Sequence, residues 1–136
     1  MRILVIDGMG GGMGKLIIEK IKGEIPSGEI MAVGTNTVAT TVMLKAGADF
    51  GSTGENAVVY NATRADYIIG VVGIAFANSM HGEISPKMAA AVSASGAHKI
   101  LIPIEKCNVT VMGVSAAPIH VYVNEVLVKL RESMSA

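Results

Sequence analysis

The chain has 136 residues, which suits one domain and leaves little room for a second. It carries 11 basic and 11 acidic residues for a net charge of +0, with 4% aromatics and no tryptophan. This composition argues against nucleic-acid binding through a basic surface or a base-stacking platform.

Only 16% of residues are charged and 51% are hydrophobic, against roughly 25% charged in an average domain. The shortfall predicts that another copy of the chain covers part of the surface, in a homo-oligomer such as a dimer or tetramer. The longest apolar stretch, Tyr67 to Ala77, is shorter than the about 20 residues a bilayer requires. The chain starts on a strand and not on a charged, then apolar, cleavable segment. Its one cysteine, Cys107, cannot form an intrachain disulfide. These features lead to the expectation of a cytoplasmic protein with no membrane partner.

Arg2 to Ile6 is rich in Ile, Leu and Val and reads as a strand buried on both faces. Asp7 follows, then a loop holding Gly8, Gly10, Gly11, Gly12 and Gly14, which opens at Lys15 into a helix. Strand, glycine loop and helix is the layout in which backbone N–H groups and a helix N-terminus meet a phosphate. The spacing excludes two familiar motifs. G-x-G-x-x-G fails because Met13 or Lys15 takes the place of its last glycine, and the P-loop pattern fails at Met9 and Leu16. What fits is G-x-x-x-G-x-G at Gly8, Gly12 and Gly14. This resembles the nucleotide loop of short-chain dehydrogenases, with Asp7 where that family usually has threonine. A tight turn that binds nothing is the alternative.

Lys22 to Gly28 is turn chemistry, and Glu29 to Val33 reads as a second strand stopped by Gly34. Thr35, Asn36 and Thr37 cap a helix that continues to about Lys45. No carboxylate stands at the end of this second strand, where dinucleotide folds hold a ribose hydroxyl. Gly47 to Asn56 reads as a second glycine-rich loop, leading into a helix through Ala62. Asp66 to Val72 is a third strand, Ser85-Pro86 opens a helix to about Ser95, and Lys99 to Ile104 is a fourth strand. Val109 to Val114 reads as a fifth strand. The short Glu105-to-Asn108 link favours its pairing antiparallel to the fourth, as an edge hairpin. Pro118 to Arg131 is a closing helix, apolar almost all round, with a frayed end from Glu132. The alternation predicts an α/β fold with a mainly parallel sheet of about five strands. The expected strand order is 2-1-3-4-5, with 3-2-1-4-5 as the alternative.

Ligands collect beyond the carboxyl ends of such strands. That edge gathers Gly8, Gly10, Gly11, Gly12, Met13, Gly14 and Lys15 as a phosphate cradle. It also gathers Thr35, Asn36, Thr37, Asn78 and Ser79 as partners for a sugar. Asp7, His81 and Glu83 are the candidates for proton transfer, although a cap is the commonest role for an aspartate placed like Asp7. No metal-ligand spacing links His81, His98 and His120. Cys107 has no partner for thiol chemistry. The dehydrogenase resemblance stops at the loop. Its Y-x-x-x-K pair is absent, since Tyr60 has Arg64 at that offset and Tyr67 and Tyr122 have valines.

Taken as a set, VIDGMGGGMGKLIIEKI, GTNTVATTVMLKAGAD, GSTGENAVVYN, NSMHGEISPKMA and KILIP resemble a family of small uncharacterised bacterial proteins across nearly the whole chain. The resemblance implies a single Rossmann-like three-layer domain over residues 1–136 and carries no established reaction. Two functions stay open. One is binding of a nucleotide, an NAD(P)-like dinucleotide or a phosphorylated metabolite. The other is a non-catalytic oligomeric or regulatory module that binds a partner.

Overall fold

The computed structural model describes residues 1–104 and 108–135. Cys107 and most of the expected link between the fourth and fifth strands lie outside the described residues. In chain order the elements are β1 (Arg2–Asp7), α1 (Gly12–Glu24), β2 (Glu29–Gly34), α2 (Thr37–Lys45), β3 (Phe50–Thr53) and α3 (Glu55–Ala62). After these come β4 (Tyr67–Val71), a 3-10 turn (Val72–Ala75), α4 (Pro86–Ala94), β5 (His98–Ile102) and α5 (Ile119–Ser135). All five strands are parallel, in the order β3-β2-β1-β4-β5.

Side chains alternate across this sheet as the two-residue period of a strand requires. Ile3 and Val5 of β1 join Ile17, Ile18 and Ile21 of α1, Ala39 and Met43 of α2, and Val126 and Leu130 of α5 in one core. Leu4 and Ile6 face the other way, onto Val58 of α3 and Met88 and Val92 of α4. Each such buried side chain contributes roughly 1.5–3 kcal/mol. Right-handed crossovers explain the sides. Winding outward from β1 to β2 and β3 puts α1 and α2 on one face. Reversing direction to reach β4 and β5 puts α3 and α4 on the other.

Three expectations need correction. First, Val109 to Val114 forms no strand; Asn108 and Gly113 have positive φ there, and Val111, Met112 and Val114 are exposed. No antiparallel edge strand occurs among the described residues. The first four expected strands do stand in the order 2-1-3-4, and the fifth strand is Phe50–Thr53, beside β2 at the opposite edge. Its residues escape sequence reading because an edge strand with exposed Phe50, Gly51 and Thr53 has no apolar pattern. Second, α5 does not fray at Glu132 but continues to Ser135. Third, α5 is not apolar all round. Val123, Val126, Leu127 and Leu130 are buried within the chain, while Asn124, Glu125 and Lys129 face outward.

Candidate functional site

The site forms where the loops after β1, β2 and β4 meet at the carboxyl edge of the sheet. Asp7 ends β1 with its carboxylate turned inward. Oδ1 accepts the Gly8 amide at 2.8 Å and Oδ2 accepts the Gly14 amide at 2.7 Å. It therefore satisfies one of the open donors in the first turn of α1. Gly11, the residue before that helix, has φ +75, and a Cβ there would stand 2.9 Å from the Ala39 Cα. Gly14 packs on Met43, whose sulfur would be 2.5 Å from a Cβ. Gly8 lies under Thr35, Met80 and Glu83. These three glycines are needed by the fold itself.

Gly10 and Gly12 differ. Neither has positive φ, and a Cβ at either would meet nothing within 4 Å. Among the described residues no acceptor takes the amides of Gly10, Gly12 and Met13. These backbone segments border a cleft of about 1380 Å³. Its other walls are Phe76 to His81 of the β4–α4 loop, Ile104 beyond β5, and Ile119 and Tyr122 at the start of α5. It opens beside β1 and β4, where the strand order reverses and ligands of open α/β sheets collect.

A second polar cluster stands beside this cleft. Glu83 Oε1 accepts from the Met9 amide at 2.9 Å, the Thr35 hydroxyl at 2.5 Å and Asn36 Nδ2 at 2.9 Å. Asn36 Nδ2 also donates to the Met9 carbonyl at 3.0 Å, while its Oδ1 accepts from Ala39 as the cap of α2. Hydrogen bonds from Thr35, Met9 and Asn36, helped by the nearby His81, hold the Glu83 carboxyl below its usual value. An acid kept ionised in this way is poorly matched to proton exchange near neutral pH.

The β4–α4 loop takes unusual backbone shapes to arrive here. Asn78, Met80 and His81 all have positive φ, as does Gly82. At the three non-glycine positions such conformations cost of order 1–3 kcal/mol each, and they concentrate at functional sites. Ser79, buried in this loop, donates its hydroxyl to the Gly73 carbonyl.

The structure therefore sorts the sequence candidates into groups. Gly8, Gly10, Gly11, Gly12, Met13, Asn78, Ser79, His81 and Asp7 line the cleft. Thr35 and Asn36 instead serve Glu83. Lys15, Gly14 and Thr37 are not in the cleft wall, and both Lys15 and Thr37 are exposed. Sequence reasoning missed Met9, whose φ of 52 turns its peptide toward Glu83 and Asn36. It also missed the apolar wall of Phe76, Ile119 and Tyr122, which lies far from the glycine loop in the chain and carries no local signal. Among the described residues, no three His, Cys, Asp or Glu side chains come together as a metal site. Among them, too, no helix is long and apolar enough to cross a membrane.

Residues 2–135 match the family model of a domain of unknown function, DUF3842. The chain belongs to that family. No curated protein matches it. Among solved structures, it is similar to a dodecameric FMN-dependent UbiX-like decarboxylase from Escherichia coli O157:H7. The likeness covers 95% of this chain and 75% of that one, at 21% identity and a TM-score of 0.49. Family membership is shared by all the segments singled out in the sequence, from the glycine loop to α5.

Proposed function

We propose that this domain binds a nucleotide or another phosphorylated small molecule in the cleft between β1, β4 and α5. The observation that carries the reading is the pair Gly10 and Gly12. Nothing in the folded chain needs a glycine at either position, yet both leave bare backbone on the cleft wall. A bare backbone with open amides is what close approach of a phosphate requires. Phe76, Tyr122, Met9, Met13 and Met80 supply an apolar wall suited to a flat ring. Asn78, Ser79, His81 and Asn108 put polar side chains on the same wall, for a sugar or base. Asp7 is assigned to shaping the loop and Glu83 to joining the loops, which leaves His81 as the candidate for proton transfer.

The test is a thermal melt of the purified protein against nucleotides, NAD(P)-like dinucleotides and sugar phosphates. A ligand at 100 times its dissociation constant adds roughly 2.7 kcal/mol, a shift of several degrees for a chain of this size. The absence of a shift from every phosphate compound would remove this reading.

A second reading, a module that binds another protein or further copies of itself, has support in specific exposed side chains. Met112 is 87% exposed and Phe50, on the free edge of β3, is 52% exposed. Self-association would also account for the low surface charge.

A further inference from the structure

We propose that the site takes a mononucleotide-sized ligand and discriminates against dinucleotides, because Glu83 closes its β2 side. This rests on the nucleotide reading above and narrows it. In a Rossmann-like sheet a dinucleotide straddles the point where strand order reverses, with one nucleoside over the end of β2. Here the open cleft runs the other way. Its described walls come from the loops after β1, β4 and β5 and from the start of α5; none comes from the loops after β2 or β3. Volume does not limit the ligand; direction does.

The groups that a second sugar would need at the β2 end are the Thr35 hydroxyl, the Asn36 amide and the Met9 N–H. All three donate to a single oxygen of Glu83. Glu83 arrives there from the β4–α4 loop, which lies directly on the first glycine. A Cβ at Gly8 would stand 2.8 Å from the Met80 sulfur and 2.9 Å from Glu83 Oε1. The route from the glycine loop toward β2 is therefore closed by a side chain that has three partners to lose on moving. A second phosphate or nucleoside placed there would also meet a fixed negative charge.

An opposite role is available to the same residue. A carboxylate near the end of β2 is where dinucleotide folds hold a ribose hydroxyl, so Glu83 would then be a sugar ligand. The two roles predict opposite effects of removing it.

Calorimetric titration of the full chain with AMP and NAD, and with FMN and FAD, compares each mononucleotide with the dinucleotide that contains it. The expected result is that at least one mononucleotide binds about tenfold or more tighter than its dinucleotide. In Glu83→Ala that preference should fall by about tenfold, through a gain in dinucleotide affinity. Glu83→Gln, which keeps an acceptor oxygen, should fall between the two. Equal or tighter dinucleotide binding by the unaltered protein overturns the proposal while leaving the nucleotide reading intact. Loss of dinucleotide binding in Glu83→Ala overturns it in favour of the sugar-ligand role. Failure of all four compounds to bind overturns this proposal, and the melt against the wider panel of phosphate compounds then decides the reading it rests on. The comparison on the unaltered protein stands even if Glu83→Ala does not fold.

Discussion

Glu83 accepts a hydrogen bond from the backbone of Met9, 74 residues earlier in the chain, at 2.9 Å. With Thr35 and Asn36 on the same oxygen, one carboxylate fastens the loops after β1, β2 and β4 together. Its consequences can be measured without any ligand.

The first is acid sensitivity. The Thr35 hydroxyl, the Met9 amide and Asn36 together lower the Glu83 carboxyl from its ordinary value of 4.5. A group depressed in the folded state stabilises the fold above its unfolded value and loses that contribution as pH falls through its folded value. Stability should therefore hold near neutrality and decline below about pH 4.5. Denaturant melts of Glu83→Gln should show a shallower decline across that range. Asp49, lowered by the Ile30 amide and by Lys22, should keep a residual slope in the variant. An acid limb identical to that of the unaltered protein would count against Glu83 as a contributor.

The glycines give a second test, in which stability and binding separate. Gly12 lies in the first turn of α1 with open space where a Cβ would go, so Gly12→Ala should be neutral or stabilising by up to about 1 kcal/mol. Gly11→Ala forces a side chain onto φ +75 and toward the Ala39 backbone, and should cost roughly 1–3 kcal/mol. Gly12→Asp should keep the fold and lose the phosphate ligand. Equal destabilisation of Gly11→Ala and Gly12→Ala in urea titrations would make Gly12 a structural residue.

Asp7 tests how far the loop depends on one side chain. Replacing it by alanine leaves the Gly8 and Gly14 amides without their carboxylate, a loss of about 1–3 kcal/mol. Asp7→Asn keeps one acceptor and should lose less. Asp7→Asn should therefore melt earlier than the unaltered protein but later than Asp7→Ala. Equal melting of Asp7→Asn, Asp7→Ala and the unaltered protein would show that the two amides do not depend on the carboxylate.

Self-association is tested by light scattering at micromolar concentration. The expected mass is a multiple of the 14.0 kDa chain. Phe50→Lys, on the edge strand, should lower that mass if β3 edges meet, since lysine on an open edge discourages pairing. A monomer throughout would leave the exposed apolar residues to a different partner.

The elements that sequence reading placed well share a cause. Ile3 to Ile6, Ile30 to Val33 and Ile68 to Ile69 are buried strands whose apolar runs are unambiguous, and Asn36 and Ser85 are side-chain caps with their partners three residues on. What was illegible depends on distant parts of the chain. Phe50–Thr53 becomes a strand only because Met31 to Gly34 lies beside it. Val109 to Val114 has strand-forming residues but, among the described residues, pairs with no strand. Within the site, the glycine loop and the 78–83 cluster were visible as local patterns. The union of Glu83 with Thr35, Asn36 and the Met9 backbone was not, because nothing in spacing reports that three loops converge.

The strand that begins the fold is also its middle. Ile3 to Val5 pairs with β2 on one side and with Tyr67 to Ile69 on the other. During synthesis the first side can be filled early, but the second stays empty until about half of the chain has followed. Until then this apolar strand has an unpaired edge, the situation that favours wrong partners and aggregation. Destabilising changes in β4 should therefore reduce soluble yield more than equal changes in β3, whose absence leaves only an outer edge unpaired.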